Sequence, residues 1–344
     1  MMGRSFLSCL PKALAIFAGC FSLTSAQPSD AAPAKWPQET FKSSSIKTPV
    51  LNVTKLGPTE PGFLFFTPSD KVNKIAHPVI YSDDGQLVWQ GVPGNYSALQ
   101  PQILDGEPVI AVWEGVKESG FGFGHISILN SSYDEIYRVT LNCKEQNFVT
   151  VLDPTPLESC IDIHESQFTA DGTILVTAVN VTQGDLTSVG GPKNGWIQDG
   201  LIYEIDIKTN KIVFRWSAHE HPNEAPMSYD RAPIGVTGAG SGASRKDPYG
   251  YPHLNSVYKY GKNYLLSSRY MCSIFFLASD GGLIWHLHVR VFSDFDRHNY
   301  PSVVVWPLLT KINRAVLAVT SNWDLTPVSV TSTTRGSDRR VTSA

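Results

Sequence analysis

The chain has 344 residues and a formal net charge of −3; 42% of its residues are hydrophobic, 11% aromatic and only 17% charged. That apolar content supports a real core, and the lack of any basic run or stripe excludes a nucleic-acid partner held by a charged patch. With 27 Gly and 23 Pro against so few charges, the composition suits a turn-rich β protein better than a helical one.

The N-terminus carries Arg4 and Lys12, a short apolar run from Ala13 to Leu23, and small residues at Thr24-Ser25-Ala26. This predicts a secretory signal peptide over 1–26, with an N-terminal anchor as the alternative. No later stretch has ~18 uninterrupted apolar residues, so the sequence predicts no stable membrane insertion after cleavage. The polar C-terminus argues against a GPI anchor. The expected destination is secreted and extracellular. Four sequons follow the leader, at Asn52, Asn95, Asn130 and Asn180, and fit a glycosylated eukaryotic protein. Cys9 and Cys20 leave with the leader. An oxidising compartment then makes Cys143–Cys160 the expected disulfide, with Cys272 a thiol buried in a strand. No Cys-x-x-Cys spacing exists, so no metal site is expected.

Residues 27–60 are rich in Pro, Ser and Thr and read as an extended N-terminal segment. From 61 onward, hairpins recur: 78–81 with 86–89, 125–129 with 135–139, 201–207 with 211–216, and 273–277 with 283–285. Each is two β-rich runs around a short polar turn. Between them lie the partner runs, including 102–104 with 109–113. Alternating the two kinds gives four-stranded units at roughly 97–139, 162–216 and 251–287, after a half unit at 62–90. This is the pattern of an all-β, β-propeller fold; a twisted sandwich is the alternative.

One motif occurs twice. His164 in Asp162-Ile163-His164-Glu165-Ser166 precedes Gly172 and a strand-like run, and His253 in Pro252-His253-Leu254-Asn255-Ser256 precedes Gly261 and another. In each copy the glycine lies eight residues after the histidine. The copies lie about ninety residues apart, two modules of the ~40–50 residues typical of propeller blades. Equivalent positions in a sheet repeat point toward one region, so these histidines are expected to face a common channel. Two insertions, Gly190–Trp196 and His219–Tyr251, interrupt the repeat and are placed to shape a mouth. Gly238-Ala239-Gly240-Ser241-Gly242 lacks the Lys-Ser/Thr and helix of a P-loop and reads as flexible. After Leu287 the rhythm stops; 302–306 and 315–319 are strand-like, and 326–344 is polar and reads as disordered. The expected organisation is a signal peptide over 1–26, the extended segment over 27–60, a propeller domain over 61–287 and a divergent tail over 288–344.

The set Asp162-Ile163-His164-Glu165-Ser166, Gly172–Thr177, Asp185–Pro192, Glu204–Thr209, His253–Val257 and Ser267-Ser268-Arg269 resembles the fungal branch of the arylsulfotransferase (ASST) family, from about Trp36 to Trp285. The resemblance implies a six-bladed, PQQ-like propeller and transfer of a sulfuryl group from a phenolic sulfate ester to another phenol, with no nucleotide donor and no cofactor. It implies small phenolic or aryl sulfate partners. By position it assigns His253, Arg269 and His164 to catalysis. The family's transient sulfuryl acceptor is a histidine in a later blade; the surroundings of His298 do not match it, so the chain reads as a divergent or truncated member.

The residue types suit that chemistry. A sulfuryl group in flight spreads negative charge over three oxygens; a guanidinium fork and an imidazole supply donors, and a neutral imidazole is also a nucleophile. His221 and Asn255 are candidate substrate-binding groups, and Glu165 is a supporting or structural one. The bland alternatives are an Arg269 ion pair with a carboxylate and histidines satisfied in the core. The competing functions are a non-catalytic propeller that binds a ligand or protein, and a quinone-dependent dehydrogenase, which the lack of a calcium-ligand carboxylate cluster disfavours.

Overall fold

In the computed structural model, which describes residues 37–288 apart from 43, 70–76, 119, 153–156, 231 and 237, the β-rich runs are strands of antiparallel sheets. β1 (Gln38–Phe41) and β2 (Ser44–Pro49) pair as a hairpin, so part of the expected extended segment is folded. The reason is a tertiary contact. β3 (Phe63–Phe66), β4 (Val79–Ser82) and β5 (Leu87–Gln90) form a three-stranded meander. The Tyr81 hydroxyl on β4 meets the buried Thr48 hydroxyl and donates to the Pro49 carbonyl at 2.6 Å.

Three four-stranded meanders follow. The first is β6 (Tyr96–Leu104), β7 (Glu107–Glu118), β8 (Phe121–Leu129) and β9 (Glu135–Val139). The second is β10 (Ile161–Phe168), β11 (Thr173–Gly184), β12 (Gly195–Asp206) and β13 (Ile212–Ser217). A short β14 (Tyr249–Tyr251) then lies parallel to β12. The third is β15 (Leu254–Tyr260), β16 (Asn263–Ser268), β17 (Ser273–Leu277) and β18 (Leu283–His288). The fold is all-β and β-propeller-like, and the repeated glycines explain its regularity. Gly172 and Gly261 close the turns that follow β10 and β15 at φ +75 and +59, where a side chain would be strained.

Apolar side chains between neighbouring meanders make two large cores and a smaller one, in which Phe65 of β3 packs with Tyr96, Leu99 and Val112. Of the large cores, one fills the space between the first and second four-stranded meanders around Trp113, Phe123, Ile161 and Tyr203. The other fills the space between the second and third around Trp216, Tyr249, Leu266 and Phe275. Trp113 is fully buried, and its indole N–H donates to the Ile161 carbonyl at 2.9 Å, joining the two sheets. A Cβ at Gly115 or Gly124 would lie 2.3 or 2.2 Å from the opposite backbone, so only glycine allows β7 and β8 to pass there.

Polar groups make a second joint, at the turn end of the strands. Glu204, fully buried on β12, accepts from Thr173 Oγ1 at 2.6 Å, Tyr264 Oη at 2.5 Å and Lys259 Nζ at 2.7 Å. Lys259 on β15 also reaches Asp171 at 3.0 Å. A buried charge is tolerable because every neighbour answers it.

Cys143 and Cys160 form a disulfide with Cα atoms 5.3 Å apart, tying the loop after β9 to the start of β10. Cys272 stays outside it, as expected, but lies half-buried in the β16–β17 turn rather than in a strand. The loop over 238–242 is not a loose one: Gly235 N donates to Gly240 O at 2.8 Å, Gly242 N to Asp247 O at 2.9 Å, and Trp196 N to Gly242 O at 2.8 Å. No helix among the described residues is long and apolar enough to cross a membrane. The expected leader, His298, the strand-like runs at 302–306 and 315–319 and the tail beyond 288 lie outside the described residues.

Candidate functional site

The inner strands β10 and β15 both lose register near their starts. On β10 the pairing shifts between Ile161 and Ser166, and on β15 between Leu254 and Ser256. Bulges re-aim side chains beside binding sites. His164 lies inside the first irregularity and Asn255 inside the second, with His253 just before it. Alternation along β10 puts Asp162 on the same side as His164. The buried Asp162 Oδ2 meets His164 Nδ1 at 2.5 Å and accepts from Thr177 Oγ1 at 3.1 Å, while Oδ1 accepts from Gly122 N at 2.8 Å.

His253 is delivered by β14, with φ +55, a conformation uncommon for a non-glycine residue. Its carbonyl accepts the Arg269 amide at 3.0 Å, which fixes Arg269 beside it. The His253 ring lies 5.2 Å from His164, edge to face, and 4.5 Å from Tyr270. Tyr270 in turn donates its hydroxyl to Gly238 O at 2.7 Å, which ties the second insertion to the residue beside His253. The Arg269 guanidinium lies 5.9 Å over the Tyr270 ring. Arg269 is exposed and makes no ion pair with a carboxylate among the described residues.

The two histidines at equivalent sequence positions are shifted in opposite directions. Burial opposes charge on both Asp162 and His164, but their mutual attraction and hydrogen bond win: the carboxyl is held below its ordinary range and the imidazole above. His253 has no such partner. Burial first, then the charges of His164 and Arg269, push it down to about 3, so it is neutral. Its Nε2 is buried with no hydrogen-bond partner among the described residues. Glu165 lies between the inner strands, where burial raises it to about 7 against the amides of Ser166 and Val257 and the charge of His164.

The structure therefore brings together His164, His253 and Arg269 of the sequence-predicted residues, with Asn255 adjoining on β15. His221 is elsewhere: its ring stacks 5.1 Å from Trp216 and its Nδ1 bonds to the Ser217 carbonyl at 2.8 Å, beside the outer strand β13. A narrow cleft joins the two histidines with Gly120, Phe121, Thr177 and Gln198. Sequence reasoning gave no role to Asp162 or Tyr270. The Asp-x-His spacing was a usable signal for the first; adjacency to Arg269 was the only one for the second. No group of three or more His, Cys, Asp or Glu suited to a metal ion occurs among the described residues.

The fold and site define a propeller-like all-β protein with a narrow cleft lined by His164 and His253. The family model for arylsulfotransferase (ASST) matches residues 100–299. The chain belongs to the arylsulfotransferase (ASST) family. The match starts later than Trp36 and runs past Leu287 through His298, so the family likeness does not stop at the third meander, as the sequence rhythm suggested. No curated protein matches the sequence. Among solved structures, one of a protein of unknown function from Bacteroides caccae aligns over 62% of this chain and 77% of its own, with 11% identity and a TM-score of 0.22.

Proposed function

We propose that this protein transfers a sulfuryl group from an aryl sulfate to a second phenol at the His164–His253 cleft with Arg269 beside it, without a nucleotide donor. One observation carries the reading: His164, whose charged form Asp162 favours, and Arg269, which has no carboxylate partner among the described residues, flank a neutral His253 whose buried Nε2 has no hydrogen-bond partner among them. Sulfuryl oxygens take donors from the Arg269 fork and His164. The donor S–O bond breaks, its electron pair leaves with the phenolate, and the His164 proton follows it. The acceptor oxygen bonds to sulfur as its proton passes to His253 Nε2. Asn255 supports the acceptor side of the cleft, and His221 serves at most outside it.

The finer organisation belongs to the same proposal. The chain is a secreted, fungal-type glycoprotein, with a leader over 1–26 and a PQQ-like propeller domain over 61–287 that is an incomplete version of a six-bladed fold. Asn52 and Asn95 are exposed sequons. Asn130 sits in a turn, where it accepts from the amides of Ser132 and Asp134. Asn180 lies half-buried in β11 with its carbonyl bonded to Val149 N, so packing restricts a glycan there most.

The test is release of 4-nitrophenolate from 4-nitrophenyl sulfate on addition of a second phenol, for the wild type and His253→Ala. Turnover lost in the variant supports the reading. Binding of the ester by the wild type without turnover points instead to a non-catalytic binding propeller. A sulfuryl adduct in the intact mass would route the group through an imidazole.

A further inference from the structure

We infer that Gln198 is a substrate-binding residue that donates its carboxamide N–H groups to the sulfuryl oxygens; this rests on the sulfuryl-transfer reading. Gln198 lies on β12, the third strand of its sheet, far in sequence from both histidines. Two features bring it to them. β14 runs parallel to β12, with Gly250 opposite Gln198. Two residues along β12, Gly200 leaves room for the following turn, since a Cβ there would lie 3.0 Å from Pro252 Cδ and 3.1 Å from Leu254 Cγ. His253, between those two, is thereby laid over the start of β12, and Gln198 lines the same cleft as His164 and His253.

The neighbours of Gln198 show which way it faces. Ile197 and Asp199 are buried on the opposite side of the strand, and Asp199 is committed to Ser217 Oγ at 2.6 Å and His219 N at 2.9 Å. Gln198 is half-buried, yet its amide makes no hydrogen bond among the described residues. A half-buried carboxamide with no partner among the described residues, lining a cleft with His164 and His253 and with Arg269 beside it, has its two N–H groups available to an anion. A neutral donor there adds directional contact without another positive charge, which would lower His253 further.

The experiment compares Gln198→Glu and Gln198→Met with the wild type by calorimetry, using 4-nitrophenyl sulfate and 4-nitrophenol as ligands. Glutamate keeps the shape and replaces donors with a charge that repels sulfate. The expected result is a loss of ester affinity of about tenfold or more in Gln198→Glu and less in Gln198→Met, with 4-nitrophenol binding within about twofold of wild type and melting temperature unchanged. Equal ester binding in all three proteins, equal loss of both ligands, or no ester binding by the wild type would overturn the assignment. Gln198-dependent ester binding with no turnover would leave the assignment standing and remove the sulfuryl-transfer reading alone.

Discussion

His164 and His253 meet edge to face with ring centroids 5.2 Å apart, yet only His164 has a carboxylate, Asp162, at its Nδ1. Two copies of one motif thus differ: the charged form is favoured in one imidazole and disfavoured in the other, and the two rings are in contact. The asymmetry is what acid–base chemistry needs, because a donor and an acceptor of protons then coexist at one pH.

Asp162→Asn tests that asymmetry. The amide cannot hold the imidazolium, so the alkaline limb of the activity profile moves to lower pH and kcat at about pH 7.5 falls by about a hundredfold. Steady-state rates across pH check it; an unmoved limb would mean that His164 is not the proton donor.

Arg269→Lys should lower kcat/KM by about a hundredfold or more while the fold survives. Lysine keeps the charge but loses the planar fork. Because Arg269 is exposed and has no carboxylate partner among the described residues, the melting temperature should stay within about 2 °C. A large loss of stability would restore the structural role that its exposure argues against.

Stability should rise as pH falls from about 7.5 to about 5.5. Glu165 and Asp199 have folded pKa values raised to about 7 by burial, so their contributions are complete below the ordinary carboxylate range and vanish as pH rises through 7. His164, also raised, has the same sign. His253, depressed to about 3, has the opposite sign and loses its contribution as pH falls below about 6.5. His125, also lowered by burial, shares the sign of His253, so three groups outweigh two. Denaturant titrations at three pH values check the direction, and Glu165→Gln should flatten the slope; a steeper slope in that variant would refute the assignment.

Lys259→Met leaves Glu204 buried on β12 without its cation. The expected cost is about 3 kcal/mol, seen as a lower midpoint in urea. Adding Glu204→Gln should restore most of it, because an amide needs no counter-charge; no recovery would show that packing, not charge, joins the second and third sheets.

The sequence by itself determined much of the local structure. Strand alternation, the polar turns and the recurring glycines at Gly172 and Gly261 are local signals, and the backbone obeys them because turn dihedrals and pleat periodicity involve only near neighbours. The paired motif also marked His164 and His253, and the Ser-Ser-Arg run marked Arg269. Other features were settled only in three dimensions. Asp162 was visible two residues from His164, but its grip on the imidazole depends on burial and on Gly122 and Thr177, donors from other strands. The β1–β2 hairpin depends on Tyr81, the anchoring of the second insertion on Tyr270 reaching Gly238, and the place of Gln198 on the parallel pairing of β14 with β12. His221 shows the same limit from the other side, since a histidine in a loop carries no local sign that Trp216 will cover it. Charge state and proximity are properties of packing: the dielectric around a side chain and the partners within 3 Å are set by strands far apart in the chain.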